Sequence, residues 1–175
     1  MIGSGGYGIR TIMKSKLFWI TGLAGSGKST CASYLVKKLK KKHKNVIMVD
    51  GDEIRKICDN DLGYDPVDRK KNAFRIVKLC EYLFNQEMIV VCATVSLYKE
   101  IHEWIYEHFE NPQIIYLDIS KDIILYRNQK KLYTNNENVI GQDLGFDEPI
   151  HVDFVQKIVD TAIVFDVLDK MLEKL

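Results

Sequence analysis

The segment Gly22-Leu23-Ala24-Gly25-Ser26-Gly27-Lys28-Ser29 fits GxxxxGK[ST] at every position, and Thr30 follows it. Its glycines let backbone N–H groups wrap a polyphosphate, and a helix opening at Lys28 adds positive potential from its N-terminus. In that arrangement Lys28 reaches the β- and γ-phosphates of ATP, and Ser29 ligates Mg2+. A second reactive set is Asp50-Gly51-Asp52, with Arg55 three residues further on. Asp and Gly also favour turns and helix caps, and capping is compatible with chemistry here. A carboxylate at this place could orient an attacking hydroxyl or hold the Mg2+ shell, because phosphoryl transfer asks mainly for positioning and charge neutralisation.

These residues can act together only if the fold brings them to one edge. Leu17 to Thr21 reads as a buried strand leading into the phosphate loop, and Lys28 to about Lys42 as the helix leaving it. Val46 to Asp50 is a second strand, so the carboxylate pair closes it. Pro66 to Gln86 is a long helix with Ala73, Val77, Cys80 and Phe84 on its core face. Met88 to Val95 and Gln113 to Ile119 are further strands, separated by an amphipathic helix marked by Ile101, Trp104, Ile105 and Phe109. Lys121 to Lys130 begins another helix, Lys157 to Thr161 reads as a short fifth strand, and Phe165, Leu168, Leu172 and Leu175 line a final helix. Strands alternating with helices predict an α/β three-layer sandwich, with a mostly parallel five-stranded sheet covered on both faces. Ligands in such sheets bind beyond the carboxyl ends of the strands, where both motifs fall.

A phosphate loop alone does not separate a kinase from a GTPase or a motor. Neither NKxD nor DxxG occurs, and 175 residues is short for a motor, which leaves a small-molecule kinase. Lys+Arg 25 against Asp+Glu 24 gives a net charge of +1, which argues against a nucleic-acid partner. No apolar run approaches the ~20 residues of a membrane span. Cys31, Cys58, Cys80 and Cys92 form no CxxC pair and no zinc-type cluster with the scattered histidines, so reduced thiols in a cytoplasmic protein are expected. The lysine-rich stretch from Lys37 to Lys44 reads as a solvated helix end.

Residues 1–15 read as a flexible tail ahead of a single domain over 16–175. The tail holds a formal GxGxxG at Gly3 to Gly8, without the strand and helix that a dinucleotide site needs. The charged-then-apolar order from Lys14 to Gly25 is like a signal peptide, but it ends in the phosphate loop rather than a cleavage site. Arginine is scarce: Arg10, Arg55, Arg69, Arg75 and Arg127 are all there are. A chain that uses lysine for solubility has its arginines available for bidentate anion contacts.

ITGLAGSGKST, VDGDEIR and DLGYDPVDRKKNAFR together resemble the adenylylsulfate kinase family, whose pattern reads GL(A/P)G(A/S)GKST, DGDxxR and LGFxxxDRxxN. The similarity continues through VVCATVSLYKE, LYRNQKKLY and a closing VDT, so it runs from Leu17 to Thr161. Family members transfer the γ-phosphate of MgATP to the 3′-hydroxyl of adenylyl sulfate, in sulfate activation. The resemblance implies that Asp52 orients or activates that hydroxyl and contributes to the metal site with Ser29. It implies that Asp50 lies on the substrate side, that Arg55, Arg69 and Asn72 hold the phosphosulfate end, and that Tyr64 stacks on the acceptor base. Ser96 falls in the family's serine position after the third strand. A lid over about 127–149 is implied too, with Arg127 at its start contacting the ATP base or phosphates. Lys130 would then reach across the phosphates, and Val139 and Ile140 would face the acceptor. Family members commonly form dimers, so a homodimer is compatible; the sequence itself does not determine oligomeric state.

Three departures touch the acceptor side. The lid aromatic of the family's GFTG is replaced by Val139 within Asn138-Val139-Ile140-Gly141; KGLY becomes Lys130-Lys131-Leu132-Tyr133; and SPYR becomes Ser96-Leu97-Tyr98-Lys99. The ATP side keeps the pattern. Adenylyl sulfate is therefore the first expectation for the acceptor. The alternative is cytidine diphosphoramidate, which relatives of the family phosphorylate during capsule modification. A gluconate- or shikimate-type kinase and a non-catalytic nucleotide-binding module are the remaining readings.

Overall fold

The strand β1 (Lys16–Gly22) is buried on both faces, and its side chains divide the protein into two cores. Leu17 and Trp19 point to one face of the sheet, Phe18 and Ile20 to the other, as the period of two requires. All four are fully buried, each contributing about 1.5–3 kcal/mol of apolar burial. The computed structural model describes residues 15–120, 122–124, 145–149, 152–157 and 161–174.

On either side of β1 lie β2 (Val46–Asp50), β3 (Ile89–Ala93), β4 (Gln113–Asp118) and β5 (Phe154–Lys157), in the order β2-β3-β1-β4-β5. Every neighbouring pair is parallel. Helix α1 (Lys28–Leu39) packs Cys31, Ala32 and Leu35 into the Phe18 core, together with Val164, Leu168 and Met171 of the C-terminal helix α5 (Thr161–Glu173). The two helices are tied by a stack of Tyr34 on Phe165 and by Asp169, which accepts from Tyr34 Oη at 2.8 Å and pairs with Lys38 at 2.7 Å. The opposite core, around Trp19, is closed by α3 (Pro66–Asn85) and α4 (Lys99–His108). A sheet with helices on both faces is the class expected, and a short helix α2 (Gly51–Ile57) directly follows β2.

The fifth strand lies over Phe154–Lys157 rather than Lys157–Thr161. Asp153 sets its start: its N–H donates to Ile114 O at 3.1 Å, and its carboxylate accepts from Ile114 N at 2.8 Å. Pairing then begins at Ile115 with Phe154 and reaches Asp118 with Lys157. Thr161 opens α5 instead. Residues 1–14 of the expected tail, Arg127, Lys130, Val139, Ile140 and all of the expected lid except 145–149 lie outside the described residues. Among the described residues, no helix is long and apolar enough to cross a membrane.

Candidate active site

Three motifs meet at the carboxyl edge of β1, β2 and β3. The phosphate loop begins at Gly22, where φ is +146° and a Cβ would stand 2.7 Å from Leu117 O on β4. No other residue fits that approach. Gly27 caps α1 in the left-handed region at φ +93°, turning the chain so that the helix opens at Lys28. Leu23 is buried in the core and Ser26 is buried beneath the loop, while Ala24 is half-buried and Gly25, Ser29 and Thr30 are exposed. Lys28 Nζ donates to the carbonyls of Gly22 at 3.0 Å and Leu23 at 2.8 Å, so its ammonium is held against the loop.

Asp50 connects the loop to the second motif. Its Oδ2 accepts from Ser29 Oγ at 2.6 Å, and its Oδ1 accepts from Asp52 N at 2.9 Å, capping α2. One carboxylate therefore holds both the phosphate-loop hydroxyl and the turn carrying Asp52. The carboxylate bonded to Ser29 is Asp50, which the sequence reading placed on the substrate side, while the side chain of Asp52 is exposed at the first turn of α2. Gly51 sits closely between them: a Cβ there would lie 3.0 Å from Thr94 Oγ1 and 3.3 Å from Ile76 Cδ1, so both side chains would have to give way. Thr94 in turn shares a hydrogen bond of 2.8 Å with Ser96, and both are buried after β3. Sequence reasoning missed Thr94; the small residue Gly51 was its only trace.

The third motif gathers two arginines around one ring. Arg55, on α2, is buried, and its Nη1 donates to Leu62 O at 2.9 Å and Gly63 O at 3.2 Å. Arg69, on α3, donates from Nε to Tyr64 O at 2.7 Å. Both guanidiniums lie against the Tyr64 ring, at 4.6 and 5.1 Å from its centroid, and Tyr64 remains 57% exposed. Burial lowers the Arg69 pKa and the nearby Arg55 charge pushes the same way, while Tyr98 and Tyr64 oppose them. Burial raises the Tyr98 phenol, and Arg69, Lys70 and Arg55 pull it down. Two like charges in one half-buried place favour an anion, and planar guanidiniums suit phosphate or sulfate oxygens. One turn beyond Arg69, Asn72 is buried on the same helix side, with an Oδ1 that has no partner among the described residues.

Not every expected residue sits at this edge. Lys99, in the place of a family arginine, turns its ammonium to Glu103 at 3.4 Å along α4. Arg75 makes a bidentate pair with Asp61 at 2.7 and 2.8 Å rather than lying on an unused helix face. The cysteines are free, three of them buried. Burial pushes the Cys31 thiol up to about 11, against the pull of Lys28. The thiol form is thereby favoured at neutral pH, as expected of a core cysteine.

A glycine-rich phosphate-loop motif on one side of a sheet edge and an exposed carboxylate with two neighbouring arginines on the other suit a phosphotransferase acting on a hydroxyl group. The fold is that of the P-loop kinases. A family model described as adenylylsulphate kinase matches residues 14–157, and the chain belongs to that family. It is 40% identical over 138 residues to a cytidine diphosphoramidate kinase of Campylobacter jejuni, covering 76% of this chain and 81% of that protein. It is 35% identical over 143 residues to a probable adenylyl-sulfate kinase of Bacillus subtilis, covering 78% and 73%. The structure of an APS kinase from Mycobacterium tuberculosis, in complex with AMPPNP and APS, superposes with a TM-score of 0.81 at 22% identity, covering 91% of this chain and 96% of that one. The chain is an ATP-using nucleotide kinase.

Proposed function

We propose that the chain transfers the γ-phosphate of ATP to the ribose 3′-hydroxyl of a nucleoside 5′-anhydride. The observation that carries this reading is the 2.6 Å bond between Ser29 and Asp50, which joins the ATP loop to the acceptor side in one site. Phosphate oxygens lie along the loop N–H groups, and Lys28 leaves the Gly22 and Leu23 carbonyls to reach them. Asp52 orients the 3′-hydroxyl and accepts its proton; the hydroxyl oxygen bonds to the γ-phosphorus as the bond from that phosphorus to the β-phosphate oxygen breaks, and ADP leaves. Arg55 and Arg69 hold the 5′-anhydride, and the exposed Tyr64 ring takes the base. Ser29 and Asp50 offer a hydroxyl and a carboxylate, the oxygen donors that suit Mg2+. When bound, Mg2+ neutralises charge on the phosphates. No cluster of three acidic, His or Cys residues occurs among the described residues, and a cation held largely by substrate phosphates needs none.

Of the two acceptors, cytidine diphosphoramidate is favoured. Val139 replaces the lid aromatic that would cover an adenine. Lys99 pairs with Glu103 along α4, while Arg55 and Arg69 flank the Tyr64 ring, so the two arginines are the cations placed for the anion. The higher identity to the cytidine diphosphoramidate kinase points the same way. Adenylyl sulfate is the second reading, supported by the intact LGYxxxDRxxN. Steady-state kinetics with each compound decide between them: a larger kcat/KM for the cytidine compound is expected, and a larger one for adenylyl sulfate reverses the order.

A further inference from the structure

The sequence motif LGYxxxDR contains a residue to which no role has been attached, Asp68. It stands at the first turn of α3, next to Arg69 but with its side chain turned back to the preceding loop. Its Oδ2 accepts from Gly63 N at 2.8 Å, and its Oδ1 pairs with Lys71 at 3.3 Å. The Gly63 N–H, more than Lys71, holds the carboxyl below its usual range. Gly63 is seated closely: a Cβ there would meet Asp68 Oδ2 at 3.2 Å and Asp65 Oδ2 at 3.5 Å.

The loop gripped in this way is the one that aims the arginines. Leu62 and Gly63 carbonyls accept from Arg55, and the Tyr64 carbonyl accepts from Arg69. Three consecutive backbone oxygens thus set the direction of two guanidiniums. The loop's other end is held by the bidentate pair of Asp61 with Arg75. The α3 side is fixed by Asp65, whose Oδ1 accepts from Val67 N at 2.9 Å and Asp68 N at 3.0 Å.

We infer that Asp68 is a positioning residue for acceptor binding: by holding the Gly63 N–H it fixes the carbonyls that aim Arg55 and Arg69 at the acceptor's anionic end. The inference rests on the proposed function, since it concerns the acceptor. It predicts a loss that falls on the acceptor and spares ATP, because Asp68 bonds to Gly63 and Lys71 beside the two arginines rather than to the phosphate loop.

The test compares Asp68→Ala and Asp68→Asn with the wild type, titrating adenylyl sulfate and cytidine diphosphoramidate separately at saturating ATP, then ATP at saturating acceptor. Asp68→Ala should raise the acceptor KM on the order of 10- to 100-fold with the ATP KM unchanged. Asp68→Asn keeps an oxygen for the Gly63 N–H and should restore most of the acceptor KM, although it removes the charge facing Lys71. An unchanged acceptor KM in Asp68→Ala overturns the inference, as does an equal loss in both substrates. If Asp68→Ala does not fold, Asp68→Glu decides, because the longer side chain displaces the carboxylate from the Gly63 N–H: a raised acceptor KM with the ATP KM unchanged supports the inference, and an unchanged acceptor KM or an equal loss for both substrates overturns it. Absence of turnover by the wild type with either acceptor overturns the functional reading, and this inference with it.

Discussion

Ser29 and Asp50, 21 residues apart in sequence, meet at 2.6 Å through hydroxyl and carboxylate, and this contact joins the phosphate loop to the end of β2. Asp50 also caps α2 through the Asp52 N–H, so its loss would change both affinity and helix stability. Asp50→Asn separates the two, because Asn caps as well as Asp. The variant should keep its melting temperature while the Mg2+ concentration for half-maximal activity rises on the order of 10- to 100-fold. A metal titration at fixed ATP checks this.

Asp52 is exposed beside that contact, where an acceptor can reach it. Asp52→Asn should slow turnover on the order of 10²- to 10⁴-fold with ATP affinity kept, measured by calorimetry and steady-state rates. Lys28→Ala should remove turnover altogether. Full activity in Asp52→Asn would remove it from the mechanism.

Where a motif is written in backbone terms, the structure has the expected backbone geometry. Gly22 and Gly27 were legible because positive φ and a close approach leave glycine alone able to serve. The strands β1 and β2 were legible as short apolar runs ending at reactive residues. What was not legible is direction. Nothing in Asp50-Gly51-Asp52 says which carboxylate meets Ser29, because that depends on where β2 ends and α2 begins. Lys99 could be placed at a position but not aimed; Glu103, one turn on, claims it. The apolar stretch after Val152 fits strand or helix at several offsets, and only the exchange between Asp153 and Ile114 settles the register.

His102 gives the fold a pH dependence. It is 1% exposed on α4, neither ring nitrogen has a partner among the described residues, and burial holds its pKa down to about 4 against the pull of Asp147. The unfolded chain takes up a proton near pH 6.5 that the folded chain refuses until about 4. Stability is therefore complete above pH 6.5 and falls as the pH drops toward 4, by about 3 kcal/mol in all. Asp61, Asp68, Glu100 and Asp169, whose folded pKa values are lowered, add their losses only at the acid end of this window and below. Melting temperatures at pH 7 and pH 5 should differ in the wild type, and the difference should shrink in His102→Leu.

By the resemblance in sequence, Val139 falls at the position of the family's lid aromatic. Val139→Phe should move selectivity toward adenine acceptors by about 1–3 kcal/mol, read as the ratio of kcat/KM for adenylyl sulfate to that for cytidine diphosphoramidate. No change in the ratio would detach base choice from this position.

The most direct test of the account follows the phosphorus itself. ATP labelled in the γ-phosphate is incubated with the enzyme, Mg2+ and each acceptor in turn, and the labelled product is identified by NMR. The account predicts label on the ribose 3′-oxygen of the nucleotide, formed only when an acceptor is present. Label appearing as inorganic phosphate at the same rate with and without acceptor would contradict it.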